Sequence, residues 1–410
     1  MKALVVAGGM PQITLINQLK ERGVETVLVD GSPTPVALPY PDKFYHTNIF
    51  DIEAVKEIAI KEKIDFLITV CADQVLLVVA QISEELGLPW YIDYATAKLV
   101  SDKELMKKIF VENGIPTSKY VVMNELDVEK TKDLHYPLIV KPVDAYSSKG
   151  VKKVMNEEKL KIAFEEAKNI SRMKNAVIEE YIQGEEISVD LFIEDGKANV
   201  LSISNSDKVK DDEYFAIFRG RFPVQVSEKI RDDIAEICQR IADAFKLKNG
   251  PMLVQMLTDG ENVTVLECCA RSGGAMKWLL IQHASGVDVI KGVIDLTMGI
   301  KPDITVHEPE TKYIVNDFIY CKPGVFDHLD GFDEQLEKGN ITDLRMLRPK
   351  GWEFSGMITS STDRLCGVTF QADTLEEFNR KHREFVNQVK VVSVDGSDIM
   401  RHDLLPDLEA

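Results

Sequence analysis

Residues 137–150 read Pro137-Leu-Ile-Val-Lys-Pro-Val-Asp-Ala-Tyr-Ser-Ser-Lys-Gly150. The first part is an apolar run of the length of a buried strand, and it ends in Lys141 and a proline. A loop of small and polar residues follows. A lysine at the end of a buried strand, beside backbone N–H groups that no bulky side chain obstructs, can neutralise phosphate oxygens. The same pattern alone also suits an ordinary strand end, so the weight falls on what surrounds it.

Upstream, Ser101-Asp102 opens a helix that runs to Asn113-Gly114, and Pro116 prevents its continuation. Lys103 stands in its first turn as a second cation for phosphate. Downstream, Glu179-Glu-Tyr-Ile-Gln-Gly-Glu-Glu186 is an extended segment broken by a glycine. Its backbone can face an adenine edge, with Glu179 accepting from the adenine amino group and Glu186 from ribose hydroxyls. A fourth stretch pairs Leu253-Val-Gln-Met-Leu257 with Val265-Leu-Glu-Cys-Cys-Ala-Arg-Ser-Gly-Gly274 around a turn at Asp259-Gly260. On paired strands Gln255 and Glu267 point the same way, as hard oxygen ligands suited to Mg2+ held mainly through phosphates. Alternation puts Glu267, Cys269 and Arg271 on one face. The Arg271 guanidinium can clamp a phosphoryl group or a carboxylate in two places. Ser272, Gly273 and Gly274 add donors with nothing in the way.

The remainder supplies the frame. Ala3–Ala7, a helix over Ile13–Arg22 and Val27–Val29 make a βαβ unit. Ala54–Lys63 and Val75–Leu86 read as helices and Phe66–Val70 as a strand, so the first 95 or so residues form an open α/β domain. Gly8-Gly9 and Asp30 invite a dinucleotide reading, but the G-x-G-x-x-G spacing is absent. From Tyr136 the texture changes to strands and hairpins: Ala176–Glu180, Ile187–Ile193 and Ala198–Ile203, with Asp195-Gly196 as a turn. Ser227–Phe245 is an amphipathic helix and Ser285–Gly299 another. Past Val306 come strands at Tyr313–Tyr320, Gly356–Ser360 and Leu365–Ala372. The helix Thr374–Val389 opens on a capping box, and Lys390–Val394 ends the fold.

The formal net charge of −18 disfavours binding along a phosphate backbone, so no nucleic-acid partner is expected. The N-terminal apolar run is too short to span a membrane or serve as a signal peptide core. Six cysteines without a CxxC pair fit a reducing compartment and no zinc site, so a cytoplasmic location without membrane attachment is expected. A homodimer is one assembly left open.

Taken in order, these segments resemble the ATP-grasp superfamily, which includes biotin carboxylase, carbamoyl phosphate synthetase, D-alanine–D-alanine ligase, glycinamide ribonucleotide synthetase and L-amino-acid ligases. The similarity covers nearly the whole chain. Asp102-Lys103 with Gly114-Ile-Pro116 resembles the linker helix and first phosphate lysine. Tyr136-Pro-Leu-Ile-Val-Lys-Pro142 resembles the strand of the second ATP lysine. Ser147-Ser148-Lys149-Gly150-Val151 is similar to the glycine-rich lid, which assigns Ser148 and Gly150 to nucleotide binding. The Glu179 segment resembles the adenine hinge, with the Tyr181–Ile182 backbone at the base. Glu267-Cys-Cys-Ala-Arg271 resembles a metal strand that usually reads Glu-x-Asn-x-Arg. Cys269 replaces the Asn, and Gln255 stands where the family usually has an acid.

The resemblance implies an α/β and α+β architecture. A Rossmann-like domain spans 1–97 and an ATP-grasp domain 98–305, with a lid subdomain near 115–185. A small C-terminal α+β domain, 306–410, completes the active site. It implies ATP with Mg2+, or Mn2+ in its place, and an ADP-forming ligase joining a small carboxylate to an amine through an acyl phosphate. A phosphoribosylamine–glycine ligase-like enzyme and a non-catalytic ATP-binding protein are the alternatives. A carboxylase ranks below them, because Asn205–Phe222 lacks the His/Cys-rich stretch of biotin carboxylases.

Overall fold

The computed structural model describes residues 1–145, 148–211 and 214–409. Ser147 of the expected lid lies outside the described residues.

The strands Lys2–Val6, Glu25–Asp30, Lys43–His46 and Phe66–Ile68 form a parallel sheet in the spatial order third, second, first, fourth. Each strand alternates its side chains between two faces. Ala3 and Val5 pack with Leu15, Ile16 and Leu19 of the helix Met10–Glu21. Leu4 and Val6 pack with Val55 and Ile58 of the helix Ile52–Glu62 and with Val75 and Val79 of the helix Asp73–Leu86. Helices on both faces explain the unbroken apolar runs of these strands. Gly8 has a packing reason: a Cβ there would lie 2.7 Å from Pro35 Cβ. Both Asp30 oxygens accept backbone N–H groups, from Gly8 at 2.6 Å and Ser32 at 2.6 Å, so this carboxylate braces its own turn.

A second sheet joins Tyr120–Met123, Ala176–Glu180, Leu138–Pro142 and Lys152–Val154 in that spatial order, all antiparallel. The helix Glu157–Ile170 covers one face and buries Leu160, Ala163, Phe164 and Ala167 against Leu138, Val140, Ala176 and Ile178. The opposite face keeps Ile139, Lys141 and Glu179 together, because Ile139 pairs directly with Glu179 and Lys141 is two residues further on.

The largest sheet has eight strands in the order Val263–Cys269, Gly250–Thr258, Glu185–Glu194, Lys197–Lys208, Ile217–Phe222, Tyr313–Ile319, Cys366–Ala372 and Asp343–Met346. Asp195 and Gly196 both have positive φ, 51° and 84°, as a two-residue hairpin of this hand requires. The long helix Glu228–Ala244 buries Ile230, Ile234, Ile237 and Ile241 on one stripe against Ile187, Val189 and Val254. The sheet does not stop where the chain passes residue 306: Ile217–Phe222 pairs antiparallel with Tyr313–Ile319, from Arg219 to Phe222. A three-stranded sheet of Glu353–Phe354, Gly324–Asp330 and Lys390–Ser393 and the helix Leu375–Gln388 complete the C-terminal part.

Two sequence readings need correction. The helix expected over Ser285–Gly299 begins only at Val289 and ends at Thr297, and a separate helix, Lys277–Ser285, precedes it. Gly286 ends the earlier helix at φ 75°, and the Asp288 carboxylate caps the later one through the N–H groups of Ile290 and Lys291. No strand forms over Gly356–Ser360: its backbone is irregular, and the short strand lies earlier, at Glu353–Phe354.

Candidate functional site

A cleft of about 1160 Å3 opens between the parallel sheet, the four-stranded antiparallel sheet and the eight-stranded sheet, lined by residues from all parts of the chain. Its geometry begins with the helix Lys103–Glu112. Asp102 caps it through the N–H groups of Glu104 and Leu105. Lys103 and Lys107 are one turn apart on one face, and each reaches a different sheet. The Lys103 Nζ lies 3.2 Å from Glu267 Oε2 and donates to the Ala145 carbonyl at 2.8 Å. Burial pulls the Lys103 ammonium downward, but Glu267 foremost reverses this and its pKa is raised. Lys107 Nζ lies 2.6 Å from Glu179 Oε2 and donates to Thr117 Oγ1 at 2.8 Å and Ser118 Oγ at 2.9 Å.

Glu179 is the hub of the lid-side wall. Its second oxygen sits 2.6 Å from Lys141 Nζ, and Ser118 Oγ donates to Oε2 at 2.8 Å. Burial would raise this carboxyl, yet Lys107 and Lys141 outweigh it and hold it at about 2. Lys141 thus stands at the expected strand end and faces the cleft, but in company. The Tyr181 N–H donates to the Pro137 carbonyl at 3.0 Å and is thus already engaged, while Tyr181 and Ile182 both line the cleft. Lys153 Nζ sits 4.0 Å from the Tyr181 ring centroid as a cation over its face. Glu186 is taken by Lys208 and by Gln255 Nε2, the latter at 3.1 Å. Ser148 lines the cleft. Gly150 does not: at φ 74° it packs so closely that a Cβ would lie 2.6 Å from Ile170 Cδ1, so its glycine serves the turn.

The strand Val263–Cys269 owes its aim to an irregularity. Val263 and Val265 face the apolar core, and strict alternation would send Glu267 after them. The register slips between Gln255 and Met256, whose partners are Glu267 and Val265. The extra residue, Leu266, resets the phase. Glu267 therefore joins Gln255 on the cleft side, while Cys268 and Ala270 turn into the core. Among the described residues no cluster of three or more His, Cys, Asp or Glu side chains is arranged to hold a metal. One carboxylate and one amide fit a divalent ion that takes most of its oxygens from phosphates and water. Burial pushes the Cys269 thiol well above its usual range, and sulfur is a soft donor poorly suited to a hard divalent ion.

Arg271 lies just beyond that strand, and its fork is already engaged. Nε and Nη2 each approach the Asp73 carboxylate at 2.6 Å, and Nη1 donates to the Ser272 carbonyl at 2.8 Å. Asp73 opens the helix Asp73–Leu86, so this pair ties the N-terminal domain to the end of the strand Val263–Cys269. Ser272 is buried with its hydroxyl 3.2 Å from Cys71 Sγ and stays off the cleft wall. Gly273 and Gly274 line the cleft. A Cβ on Gly273 would lie 2.6 Å from Lys277 Cγ, so the glycine permits a close crossing. Lys277 borders the cleft beneath it, with Ser204 as acceptor and Asp190 at 4.0 Å; burial lowers its pKa.

The opposite wall comes from the C-terminal part. Arg364 is 4% exposed; its Nε and Nη2 donate to the Ile217 carbonyl at 3.0 and 2.6 Å, and its guanidinium lies 3.9 Å from the Phe318 ring centroid. Arg348 stacks on Trp352 at 4.3 Å and donates to the Thr362 carbonyl, while its Nε is buried without an acceptor. Neither guanidinium has a carboxylate partner among the described residues. Lys107, Lys277, Arg348 and Arg364 were all missed from sequence. Only Lys107 carried a local signal, its helical spacing from Lys103.

Residues 134–278 match the family model of the ATP-grasp domain. The chain is 25% identical over 334 residues to the mitochondrial carbamoyl-phosphate synthase (ammonia) of Homo sapiens, a match covering 77% of this chain and 21% of that protein. It is also 25% identical over 291 residues to the carbamoyl phosphate synthase large chain of Clostridium acetobutylicum, covering 68% of this chain and 26% of that one. The chain thus spans between a fifth and about a quarter of these relatives. Among solved structures, the L-amino acid ligase of Bacillus licheniformis superposes with a TM-score of 0.79 at 18% identity, covering 96% of this chain and 98% of that one. Phosphoribosylglycinamide synthetase of Anaerococcus prevotii superposes with a TM-score of 0.74 at 18% identity, covering 96% and 99%. Residues 134–278 thus match the ATP-grasp domain, and the chain as a whole takes the fold of these two solved structures.

Proposed function

We propose that the chain is an ATP-dependent, ADP-forming ligase that joins a small carboxylate, such as an amino acid, to an amine. The observation that carries the reading is the convergence of Lys103, Lys141, Gln255 and Glu267 on one cleft whose far wall holds two guanidiniums that form no ion pair among the described residues. ATP would lie between the lid-side wall and the metal strand, its base against the Tyr181–Ile182 backbone. Bound Mg2+, or Mn2+ in its place, would neutralise charge between phosphate oxygens, with Glu267 and Gln255 as its protein ligands.

In the first step the substrate carboxylate attacks the γ-phosphorus and ADP leaves with the bridging oxygen's electron pair. Lys103 and Lys141 stabilise the charge that develops, after turning from Ala145, Glu267 and Glu179 toward the phosphates. Arg271, Gly273 and Gly274 place the carboxylate. In the second step an amine attacks the acyl carbon and phosphate departs. Water would have to be kept from the intermediate by the cleft wall that Ser148 helps to line. Residues 306–410 would complete the site through Arg348 and Arg364, whose unpaired forks suit a carboxylate.

The same forks also suit a phosphate, which keeps a phosphoribosylamine–glycine ligase-like activity as the second reading. The test is phosphate release from MgATP with pooled amino acids, other carboxylates, or phosphoribosylamine with glycine, followed by mass spectrometry of the product. Turnover only in the amino-acid pool supports the first reading, and turnover only in the last arm supports the second. Tight ATP binding with no release in any arm would leave a non-catalytic nucleotide-binding protein.

A further inference from the structure

Lys107 is a buried cation that the proposed chemistry does not use. It is 1% exposed and lies beneath the cleft wall, with Glu179 between it and Lys141. The three charges form a chain of two cations sharing one carboxylate. Oε2 carries Lys107 and Ser118, while Oε1 faces Lys141 alone.

We propose that Lys107 is a positioning residue that binds half of the Glu179 charge, so that Lys141 remains free to turn to the phosphates of ATP. The proposal rests on the reading of the cleft as an ATP site. A carboxylate paired with a single lysine concentrates its charge there, and in a buried setting such a pair resists separation. A second lysine on the far oxygen divides that attraction. The chain then holds one net positive charge, which a triphosphate can draw out. A merely structural lysine would satisfy Glu179 without making Lys141 easier to detach.

The groups that face Lys107 from the elements around it are Glu179 on the strand Ala176–Glu180, Lys141 on Leu138–Pro142, Tyr120 on Tyr120–Met123, with its ring centroid 5.7 Å away, and more distantly Glu267 on Val263–Cys269. Thr117 and Ser118 complete the set as neutral partners. Burial first, and then the like charge of Lys141, bring the Lys107 ammonium down to about 8 against the pull of Glu179. Above that pH Lys107 is neutral and the Glu179 charge falls on Lys141 alone. Raising the pH through this region therefore does reversibly what removal of the lysine does permanently.

The experiment measures binding of a non-hydrolysable ATP analogue with Mg2+ by calorimetry, for the full chain and for Lys107→Met, Lys107→Arg and Lys107→Met combined with Glu179→Gln. Absence of binding by the unaltered chain would sink the nucleotide reading itself, apart from any role of Lys107. Given binding, Lys107→Met should weaken it roughly tenfold or more, the scale of one charge-assisted contact. Lys107→Arg should restore it. The double variant should recover much of the loss, because a neutral amide no longer holds Lys141. Affinity should fall through pH 8 in the unaltered chain but not in Lys107→Arg, whose cation persists. Unchanged binding by Lys107→Met, or a double variant no tighter than the single one, overturns the proposal. If Lys107→Met does not fold, identical pH profiles for Lys107→Arg and the unaltered chain overturn it as well.

Discussion

The two walls of the cleft hold their cations in opposite ways. On the lid side and along the strand Val263–Cys269, four lysines are matched to acids: Lys103 to Glu267, Lys141 and Lys107 to Glu179, and Lys208 to Glu186. On the C-terminal side, Arg348 and Arg364 are held by carbonyl oxygens and aromatic rings, and the nearby Asp363 carboxylate accepts from Thr359 and Ser360 rather than forming an ion pair with either guanidinium. A paired cation is kept in place by a group that its ligand must displace, so binding there is an exchange. An unpaired one is held by neutral dipoles and retains its full charge for an anion. The first wall suits a ligand with enough charge to compete, such as a triphosphate with its metal. The second suits a smaller anion with one carboxylate or phosphate.

Arg271 sits between these walls, and turning it from a paired cation into an unpaired one is the harshest test of the contrast. Asp73→Ala should cost about 3–5 kcal/mol of stability, as expected when a buried pair loses one partner, and a denaturant titration would measure it. A loss near zero would mean that Asp73 does not compensate Arg271. Next in size is the lid-side wall. Lys141→Ala and Glu267→Ala should each lower ATP turnover by about 100-fold or more while leaving the unfolding midpoint near that of the parent, since Glu179 keeps Lys107 and Lys103 keeps Ala145. Full activity in either variant would remove that residue from the chemistry.

Smaller still is the expected effect of Arg364→Ala or Arg348→Ala. The KM for the anionic substrate should rise by about tenfold or more and the KM for ATP should stay put. An equal change in both constants would erase the distinction between the walls. The smallest effect concerns acid. Glu179 has a folded pKa lowered to about 2, below its ordinary value of 4.5. Its contribution to stability is present above 4.5 and is lost as the pH falls from there toward 2. In Glu179→Gln that segment of the stability–pH curve should flatten; an unchanged slope would show that the hub is not what titrates.

Much of the lid-side wall was legible because its signals are local. Lys141 ends an apolar strand, Lys103 follows a cap, and Gln255 and Glu267 flank a turn; each lies within a few residues of the feature that marks it. The aim of Glu267 was read correctly, but simple alternation gives no reason for it, since the bulge at Leu266 that resets the phase has no glycine to announce it. Asp73 was out of reach as the partner of Arg271, because 198 residues separate the two in sequence. Arg348 and Arg364 follow the same logic: an acid, Asp363, even adjoins Arg364 in sequence, and only the fold reveals that it caps Thr359 and Ser360 and forms no ion pair with either guanidinium. The helix Glu157–Ile170 is a different case. Asn156 and the apolar spacing of Leu160, Ala163, Phe164 and Ala167 were there to be read, and it was passed over.

The eight-stranded sheet has a bearing on how enzymes of this design could be recombined. Its central seam, from Ile217–Phe222 to Tyr313–Ile319, carries four paired residues, with Arg219 and Asp317 buried directly across it at 2.5 Å. A graft meant to bring a new substrate wall onto this chain cannot be cut cleanly at residue 306. The donor segment must reproduce the register of its neighbour and supply an acid opposite Arg219, or bring its own version of the strand Ile217–Phe222. Substrate preference is thus inherited together with a length of sheet, and exchanges that respect the hydrogen-bond ladder should yield folded chimeras where exchanges at the apparent linker do not.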